Sequence, residues 1–195
     1  GFENSSGPIV ADGKVIQGLA GCSRYIEDAC YISAYDANTG EVAWRFNTIA
    51  ESSDPGGDTW GDIDDLFRAG GETWITGSYD PELKLTYWGT AQQKPWMPAS
   101  RSLSIYDAGL FTNSTVAVNV DSGELDWFFQ HVPAEALDLD EVFERVLIDR
   151  GDDKLVFSIG KHGILWKHDR VSGQFISHLE TIFQNAFTNI DVTTG

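Results

Sequence analysis

Apolar and polar residues alternate over short stretches of this chain, and each stretch is interrupted by a tight polar turn. Three stretches share this pattern around a turn that ends in Thr-Gly or Ser-Gly: AYDANTGEVAW (34–44), AVNVDSGELDW (117–127) and WKHDRVSGQFISH (166–178). Alternation with a period of two places every second side chain on one face of a strand. Each stretch therefore predicts a β-hairpin with one buried face.

The turn of each predicted hairpin carries an aspartate and a glycine. An aspartate carboxylate can accept hydrogen bonds from the turn backbone, and glycine adopts positive φ without steric cost. The expected turn residues are Asp36, Asp121 and Asp169, with Gly40, Gly123 and Gly173.

These hairpins belong to a longer repeat. A further strand pair lies at 73–90 with DPEL as its turn, and DVTTG (191–195) resembles another turn of the same kind. The units recur roughly every 40–50 residues, which is the usual range for four-stranded propeller blades. The sequence therefore predicts an all-β fold: one partial β-propeller segment over residues 1–195, with about three to four four-stranded antiparallel blades and truncation at both ends.

Two segments depart from the alternating pattern. Residues 133–148 (PAEALDLDEVFERVLI) are compatible with a short helix or with an irregular loop before the strand KLVFSIG. Residues 51–72 form a long, acidic, glycine-rich insertion. Insertions in repeat proteins tend to gather on one face, which is often the binding face.

The charge of the chain excludes some partners. Its 13 Lys and Arg against 30 Asp and Glu give a formal net charge of −17, so nucleic acid is not expected as a ligand. The acidity suits cation binding and a basic protein partner, or it keeps the protein soluble. We predict no membrane span, because no apolar stretch approaches the roughly 18–20 residues that a span needs.

The two cysteines, Cys22 and Cys30, lie in GCSRYIEDACY. Two ligands are too few for a structural zinc site. The two cysteines predict either a short-loop disulfide or two buried thiols. The disulfide would imply an oxidising compartment such as the periplasm.

Several runs together resemble the central part of the pyrroloquinoline-quinone (PQQ) dependent methanol and ethanol dehydrogenases. They are GCSRYIEDACYISAYDANTGEVAWRFNTIA, DPGGDTWGD, GGETWITGSYDPELKLTYWGTAQQKPW, TNSTVAVNVDSGELDWFFQHVP and GKHGILWKHDRVSG. The resemblance covers nearly the whole chain in the same linear order. The units TGEVAW and SGELDW resemble the tryptophan-docking repeats that join neighbouring blades in that family.

This resemblance implies a function as well as a fold. It implies a periplasmic enzyme that oxidises a primary alcohol or related hydroxyl to the aldehyde, with PQQ and Ca²⁺ or a lanthanide ion as cofactors and cytochrome c as electron acceptor. Family propellers have eight blades, so this chain would supply somewhat less than half of the ring. The remaining blades, or self-association, would then cover its exposed strand edges and blade faces.

Site residues follow from the resemblance position by position. Trp74 in GGETWITGSYDP matches the tryptophan beneath the quinone, and a flat indole suits a planar heterocycle. Asp138 in EALDLDEVF matches the catalytic base, and Asp140 matches the extra aspartate that ligates the metal in lanthanide-dependent members. Lys161 in SIGKHGIL matches the basic residue at the quinone oxygens, whereas His162 is expected to be structural.

The chain departs from the family pattern at two metal-ligand positions. Gln92 stands where the family has an asparagine ligand, and it carries the same amide oxygen on a longer arm. GCSRYIEDACY replaces the Gly-Ala-Glu motif, and Glu27 or Asp28 is expected to supply the missing carboxylate. The predicted metal ligands are therefore Asp138, Asp140, Gln92 and Glu27.

Two other functions remain open at this point. The altered ligand positions favour a non-catalytic quinoprotein-like propeller that acts as a binding or scaffold module. A PQQ-dependent sugar or polyol dehydrogenase would share the same site residues and differ in pocket size.

Overall fold

The computed structural model describes residues 2–26, 28 and 30–195 and contains three four-stranded antiparallel sheets. In each sheet, strands that are neighbours in sequence are also hydrogen-bonded neighbours, as in a propeller blade. Sheet 1 comprises β1 (Ile9–Ala11), β2 (Lys14–Gln17), β3 (Tyr31–Asp36) and β4 (Val42–Asn47). Sheet 2 comprises β5 (Ser78–Asp80), β6 (Leu85–Gly89), β7 (Ser114–Asn119) and β8 (Leu125–Gln130). Sheet 3 comprises β9 (Val146–Arg150), β10 (Asp153–Ile159), β11 (Ile164–Asp169) and β12 (Phe175–Glu180). The predicted all-β partial propeller is confirmed.

The predicted turn chemistry is confirmed in the hairpins of sheets 1 and 3. Asp36 Oδ1 accepts hydrogen bonds from the amides of Asn38 and Thr39 at 2.8 and 2.9 Å. Asp169 accepts two amides in the same way, and Asp191 repeats the arrangement in the DVTTG turn. A short side-chain acceptor thus satisfies the amides that the turn leaves without a strand partner.

The prediction for Asp121 was wrong. Asn119 is the side chain that accepts the turn amides in sheet 2, from residues 121 and 122 at 2.9 and 3.1 Å. In these turns the accepting side chain belongs to the residue four positions before the turn glycine. In sheet 2 the turn glycine is Gly123, so that residue is Asn119. The Gly123 amide also donates to the Asn119 carbonyl. Asp121 lies two residues too late, and its carboxylate pairs instead with Lys14 and Lys84 at 3.3 and 2.9 Å.

A tryptophan from each of the first two sheets packs on the turn of the following sheet. Trp44 donates from Nε1 to the Val120 carbonyl at 2.9 Å, and its ring covers Gly123, where a Cβ atom would collide with it. Trp127 covers Gly173 in the same manner. These glycines are required for close approach as well as for their positive φ, so the tryptophan-docking interpretation is confirmed.

Arg170 is the polar centre of the contact between sheets 2 and 3. Its carbonyl accepts from Trp127 Nε1 at 3.1 Å and from the Tyr87 hydroxyl at 2.9 Å. Its guanidinium forms ion pairs with Asp80 at 2.6 Å and Asp149 at 2.7 Å. Since Asp80 and Arg170 are both buried, each charge depends on the other for compensation.

Asp80→Asn should destabilise the protein in a pH-dependent manner. Burial favours the neutral carboxyl, but hydrogen bonds from the Leu83 amide and from Arg170 outweigh it and lower the pKa of Asp80 below its usual value. The stabilisation is therefore full above the unfolded pKa of about 3.9 and is lost as the pH falls through the folded pKa. Urea unfolding should show a loss of about 2 kcal/mol at pH 7 that shrinks in acid.

The matched control for this prediction is Asp153→Asn. Asp153 pairs with Arg150 at 2.7 Å on the surface, where an ion pair contributes less than about 1 kcal/mol. A loss in Asp80→Asn that is independent of pH would contradict the ionic account.

The two segments outside the alternating pattern are mostly irregular. Residues 51–72 contain two short 3₁₀ helices, Gly57–Trp60 and Asp65–Phe67, and Trp60 is buried with its Nε1 bonded to the Leu110 carbonyl at 2.7 Å. Residues 133–145 contain no helix, so of the two alternatives the loop is confirmed. The short helix Pro98–Arg101 precedes β7, and none of the helices in the described part of the chain is long and apolar enough to cross a membrane.

Candidate cofactor and metal site

Four of the residues predicted for the site lie together at one end of sheets 2 and 3. Gln92 follows β6, Asp138 and Asp140 lie on the irregular segment before β9, and Lys161 begins the turn between β10 and β11. The Gln92 backbone amide donates to Asp140 Oδ1 at 3.1 Å, and its side-chain Nε2 donates to Asp138 Oδ1 at 2.7 Å. Lys161 Nζ lies 2.6 Å from Asp140 Oδ2 and 3.3 Å from Asp138 Oδ1.

The two aspartates differ in access to solvent. The Asp140 side chain is 8% exposed, while that of Asp138 is 57% exposed. Asp138 also has a positive φ of 61°, a conformation that is uncommon outside glycine and that Asp tolerates better than most residues. Asp140 is thus fixed by its neighbours, whereas the Asp138 carboxylate is open to an approaching molecule.

Lys161 is charged at neutral pH in this setting. Its partial burial disfavours the ammonium, but the carboxylates of Asp140 and Asp138 outweigh that effect and raise the pKa of Lys161 above its usual value. Its backbone amide also donates to the Asp140 carbonyl at 3.2 Å, so both ends of the residue contact the same loop. The arrangement holds one fixed positive charge between two negative ones.

The donor set fits a hard cation. Gln92 Oε1 is buried and has no hydrogen-bond partner among the described residues, so it has an unused acceptor beside the two carboxylates. Carboxylate and amide oxygens are the ligands that Ca²⁺ prefers. No group of three His, Cys, Asp or Glu residues converges on a metal position within residues 2–26, 28 and 30–195, so a third protein ligand would be the Gln92 amide. The predicted ligand Glu27 lies outside the described residues, and Asp28 is exposed.

Trp74 packs against the same segment from the side of sheet 2. Its half-buried ring makes an edge contact with Phe143, with 5.8 Å between ring centroids and an 80° interplanar angle. Phe143 is three residues beyond Asp140, so this contact connects Trp74 to the acidic loop. The described contacts do not include one between Trp74 and Lys161, and its role beneath a quinone stays a prediction.

Cys22 and Cys30 form a disulfide, as one of the two alternatives predicted. The loop that it closes borders a cavity of about 330 Å³ beside Gln92. The cavity is lined by Ser23, Arg24, Gln92, Lys94, Pro95 and Trp96.

Sequence reasoning missed Lys94 at this cavity and its ion-pair partner Glu72. The Lys94 ammonium contacts the buried carboxylate of Glu72, whose pKa is raised because burial outweighs the effect of Lys94. Lys94 stands two residues beyond Gln92 and could have been found from that spacing. Glu72 had no such signal, because it meets Lys94 only through the contact of its own segment with Ala91, whose amide donates to the Glu72 carbonyl at 2.8 Å.

Comparison with known proteins gives the family. Residues 1–183 match the family model described as PQQ: glucose/ethanol/alcohol dehydrogenase, β-propeller domain. The chain belongs to this PQQ dehydrogenase family.

Relatives in this family include the quinohemoprotein alcohol dehydrogenase ADH-IIG of Pseudomonas putida. It is 34% identical over 202 residues, covering 96% of this chain and 28% of its own length. The quinoprotein alcohol dehydrogenase PedH of Pseudomonas putida is 30% identical and covers 90% of this chain and 32% of its own length. The chain therefore spans about a third or less of these relatives.

Solved structures show the same relation. The quinohemoprotein alcohol dehydrogenase of Comamonas testosteroni superposes with a TM-score of 0.85 at 29% identity, over 97% of this chain and 30% of that one. A europium-containing methanol dehydrogenase superposes with a TM-score of 0.77 at 25% identity, over 93% of this chain and 34% of that one. The three sheets of this PQQ-family chain therefore match part of a larger propeller.

Proposed function

We propose that this chain is a segment of a periplasmic PQQ-dependent dehydrogenase that oxidises a primary alcohol or related hydroxyl to the aldehyde. The observation that carries the proposal is the cluster of Asp138, Asp140, Lys161 and Gln92, drawn from three separate parts of the chain. An open carboxylate, a fixed cation and an unused buried acceptor are together suited to moving a proton beside a bound ion.

Asp138 is the proposed general base. Its carboxylate is exposed enough to meet a substrate hydroxyl, and the ammonium of Lys161 lies 3.3 Å from it. A base must lie within hydrogen-bond distance of the proton that it removes, and the Gln92 Nε2 contact at 2.7 Å restrains the Asp138 side chain.

Asp138, Asp140 and the Gln92 amide oxygen are the proposed ligands of Ca²⁺ or a lanthanide ion, with Glu27 as a further candidate. Two carboxylates suit a trivalent ion better than one, because each adds a full negative charge to the donor set. The similarity to a europium-containing methanol dehydrogenase supports a lanthanide ion as one of the two choices.

Trp74 and Lys161 are the proposed PQQ contacts. The quinone, when bound, would accept the hydride of the alcohol. The Trp74 indole would pack on its planar ring and exclude water, while Lys161 would stabilise negative charge at its oxygens.

The proposal extends to partners and compartment. The net charge of −17 suits a basic electron acceptor such as a cytochrome c, and the Cys22–Cys30 disulfide suits an oxidising compartment such as the periplasm. The remaining propeller blades, or self-association, would cover apolar side chains that are exposed on sheet 3, such as Ile148, Ile176 and Leu179.

Titration of the full-length protein with PQQ tests the proposal. With Ca²⁺ or La³⁺ present, we expect saturable quenching of tryptophan fluorescence that needs the metal. It should be lost in Asp138→Ala/Asp140→Ala and in Trp74→Ala. It should be retained in Asp152→Ala/Asp153→Ala, which removes two exposed acids, one in the β9–β10 turn and one at the start of β10.

Absence of quenching in the full-length protein would contradict the cofactor site and favour the non-catalytic propeller. Quenching that survives Asp138→Ala/Asp140→Ala would place the cofactor away from this cluster. Turnover of a sugar or polyol in preference to small alcohols would favour the alternative substrate class.

A further inference from the structure

A second pair of polar residues lies buried directly behind the site. Glu141 follows Asp140 in the chain and is 0% exposed, and His162 follows Lys161 and is 3% exposed. The His162 Nε2 atom contacts Glu141 Oε1. Asp140 and Lys161 are therefore each followed in the chain by a buried residue, and these two buried residues touch each other.

The hydrogen bonds of His162 define which ring nitrogen carries the proton. His162 Nδ1 accepts from the Ile164 backbone amide at 3.0 Å, so its lone pair is occupied there. Burial lowers the pKa of His162 to about 4, so the ring is neutral at pH 7. A neutral imidazole that accepts at Nδ1 carries its hydrogen on Nε2, and that N–H is directed at Glu141. The Trp166 indole N–H lies 3.5 Å from the same Nε2, at the outer limit of hydrogen bonding, and is the weaker contact.

The Glu141 side chain is enclosed by its neighbours. It fills the space beside Gly160, where any Cβ atom would collide with its carboxylate. The buried Arg145, four residues later in the chain, donates to Thr115 Oγ1 at 2.9 Å and to the Ser114 carbonyl at 3.2 Å. Apart from the contact of Oε1 with His162, neither carboxyl oxygen of Glu141 has a hydrogen-bond partner in the described part of the chain.

We propose that Glu141 and His162 are positioning residues that hold the Lys161 ammonium against the carboxylates of Asp138 and Asp140. Both are too deeply buried to reach a substrate. Their contact joins the acidic loop to the β10–β11 turn, one residue beyond Asp140 and one residue beyond Lys161. The consequence for catalysis rests on the function proposed above, whereas the positioning itself does not.

Three substitutions separate positioning from general stability. Glu141→Gln keeps an oxygen that can accept from His162 Nε2–H, and Glu141→Ala removes it. His162→Asn keeps an acceptor for the Ile164 amide but has no atom where Nε2 stood. The last two approach the contact from opposite sides, so the test survives if one of them fails to fold.

The measurement is the rate at which acetic anhydride acetylates Lys161, followed by mass spectrometry of the full-length protein. Lys154 is the internal control, because it lies on β10 of the same sheet and is also ion-paired, to Glu82 at 2.6 Å. We expect the Lys161-to-Lys154 rate ratio to rise about fivefold in Glu141→Ala and His162→Asn, as the ion pairs of Lys161 loosen. In Glu141→Gln the ratio should stay near that of the unsubstituted protein.

An unchanged ratio with a lowered melting temperature would overturn the proposal, since the pair would then be merely structural. A ratio in Glu141→Gln as high as in Glu141→Ala would also overturn it, because the proposed contact is a hydrogen bond that Gln retains. PQQ titration of the same variants reports separately on the proposed function. Its failure in the unsubstituted protein would leave the labelling result valid.

Discussion

Trp127→Ala should lower the free energy of unfolding by about 3–5 kcal/mol, the usual cost of removing a buried tryptophan. The ring is 7% exposed, covers Gly173 of sheet 3 and packs on Tyr87 with 5.8 Å between ring centroids. Its removal opens a cavity between two sheets and leaves the Arg170 carbonyl without one of its donors. Urea unfolding monitored by circular dichroism measures the change.

Trp96→Ala is the matched control, because that ring is 49% exposed and should cost less than about 1 kcal/mol. The loss of unfolding free energy in Trp127→Phe should lie between those of Trp127→Ala and Trp96→Ala. Phenylalanine keeps a flat ring over Gly173 but cannot donate to the Arg170 carbonyl. If Trp127→Ala lowered the free energy of unfolding by less than about 1 kcal/mol, the docking contact would contribute little to the packing of sheet 2 on sheet 3.

Asp138→Asn should lower kcat by about 10²–10⁴-fold, the contribution expected of a general base. The amide has nearly the same shape and keeps an oxygen toward Gln92, but it cannot take a proton from an alcohol. The measurement is steady-state turnover of the full-length protein with PQQ and metal, with cofactor occupancy checked by the fluorescence titration. Asp152→Asn, on the exposed β9–β10 turn, should leave turnover unchanged.

The pattern of the kinetic loss decides the role of Asp138. A fall in kcat at full cofactor occupancy is expected of a base. A rise in KM at unchanged kcat would instead assign Asp138 to substrate binding and contradict its role as base.

The fold was predictable because its signal is local. Alternation and turn glycines lie within about a dozen residues of each other, and both reflect the pairing of adjacent strands. The error at Asp121 shows the limit of this approach. Asn119 and Asp121 are both turn-forming residue types, and their distinction depends on the hairpin register, which shifts between Ala117 and Val118.

The site was predictable only through family resemblance. Gln92 and Asp140 are 48 residues apart, and nothing local in either segment indicates that they meet. The pair of Asp80 and Arg170, 90 residues apart, was missed because it joins two sheets. Glu141 was hidden for another reason: a glutamate in an acidic run is ordinarily solvated, and its burial depends on the small residue at position 160.

The docking contacts between sheets also bear on how such a chain grows in evolution. Sheet 2 both receives a tryptophan, at Gly123, and supplies one, Trp127, to its successor. A tandem gene duplication of this sheet would therefore give the first copy a ready acceptor in the second, and neither outer neighbour would need to change. A propeller could thus gain one sheet at a time, and in each intermediate protein every pair of neighbouring sheets would keep its tryptophan–glycine contact.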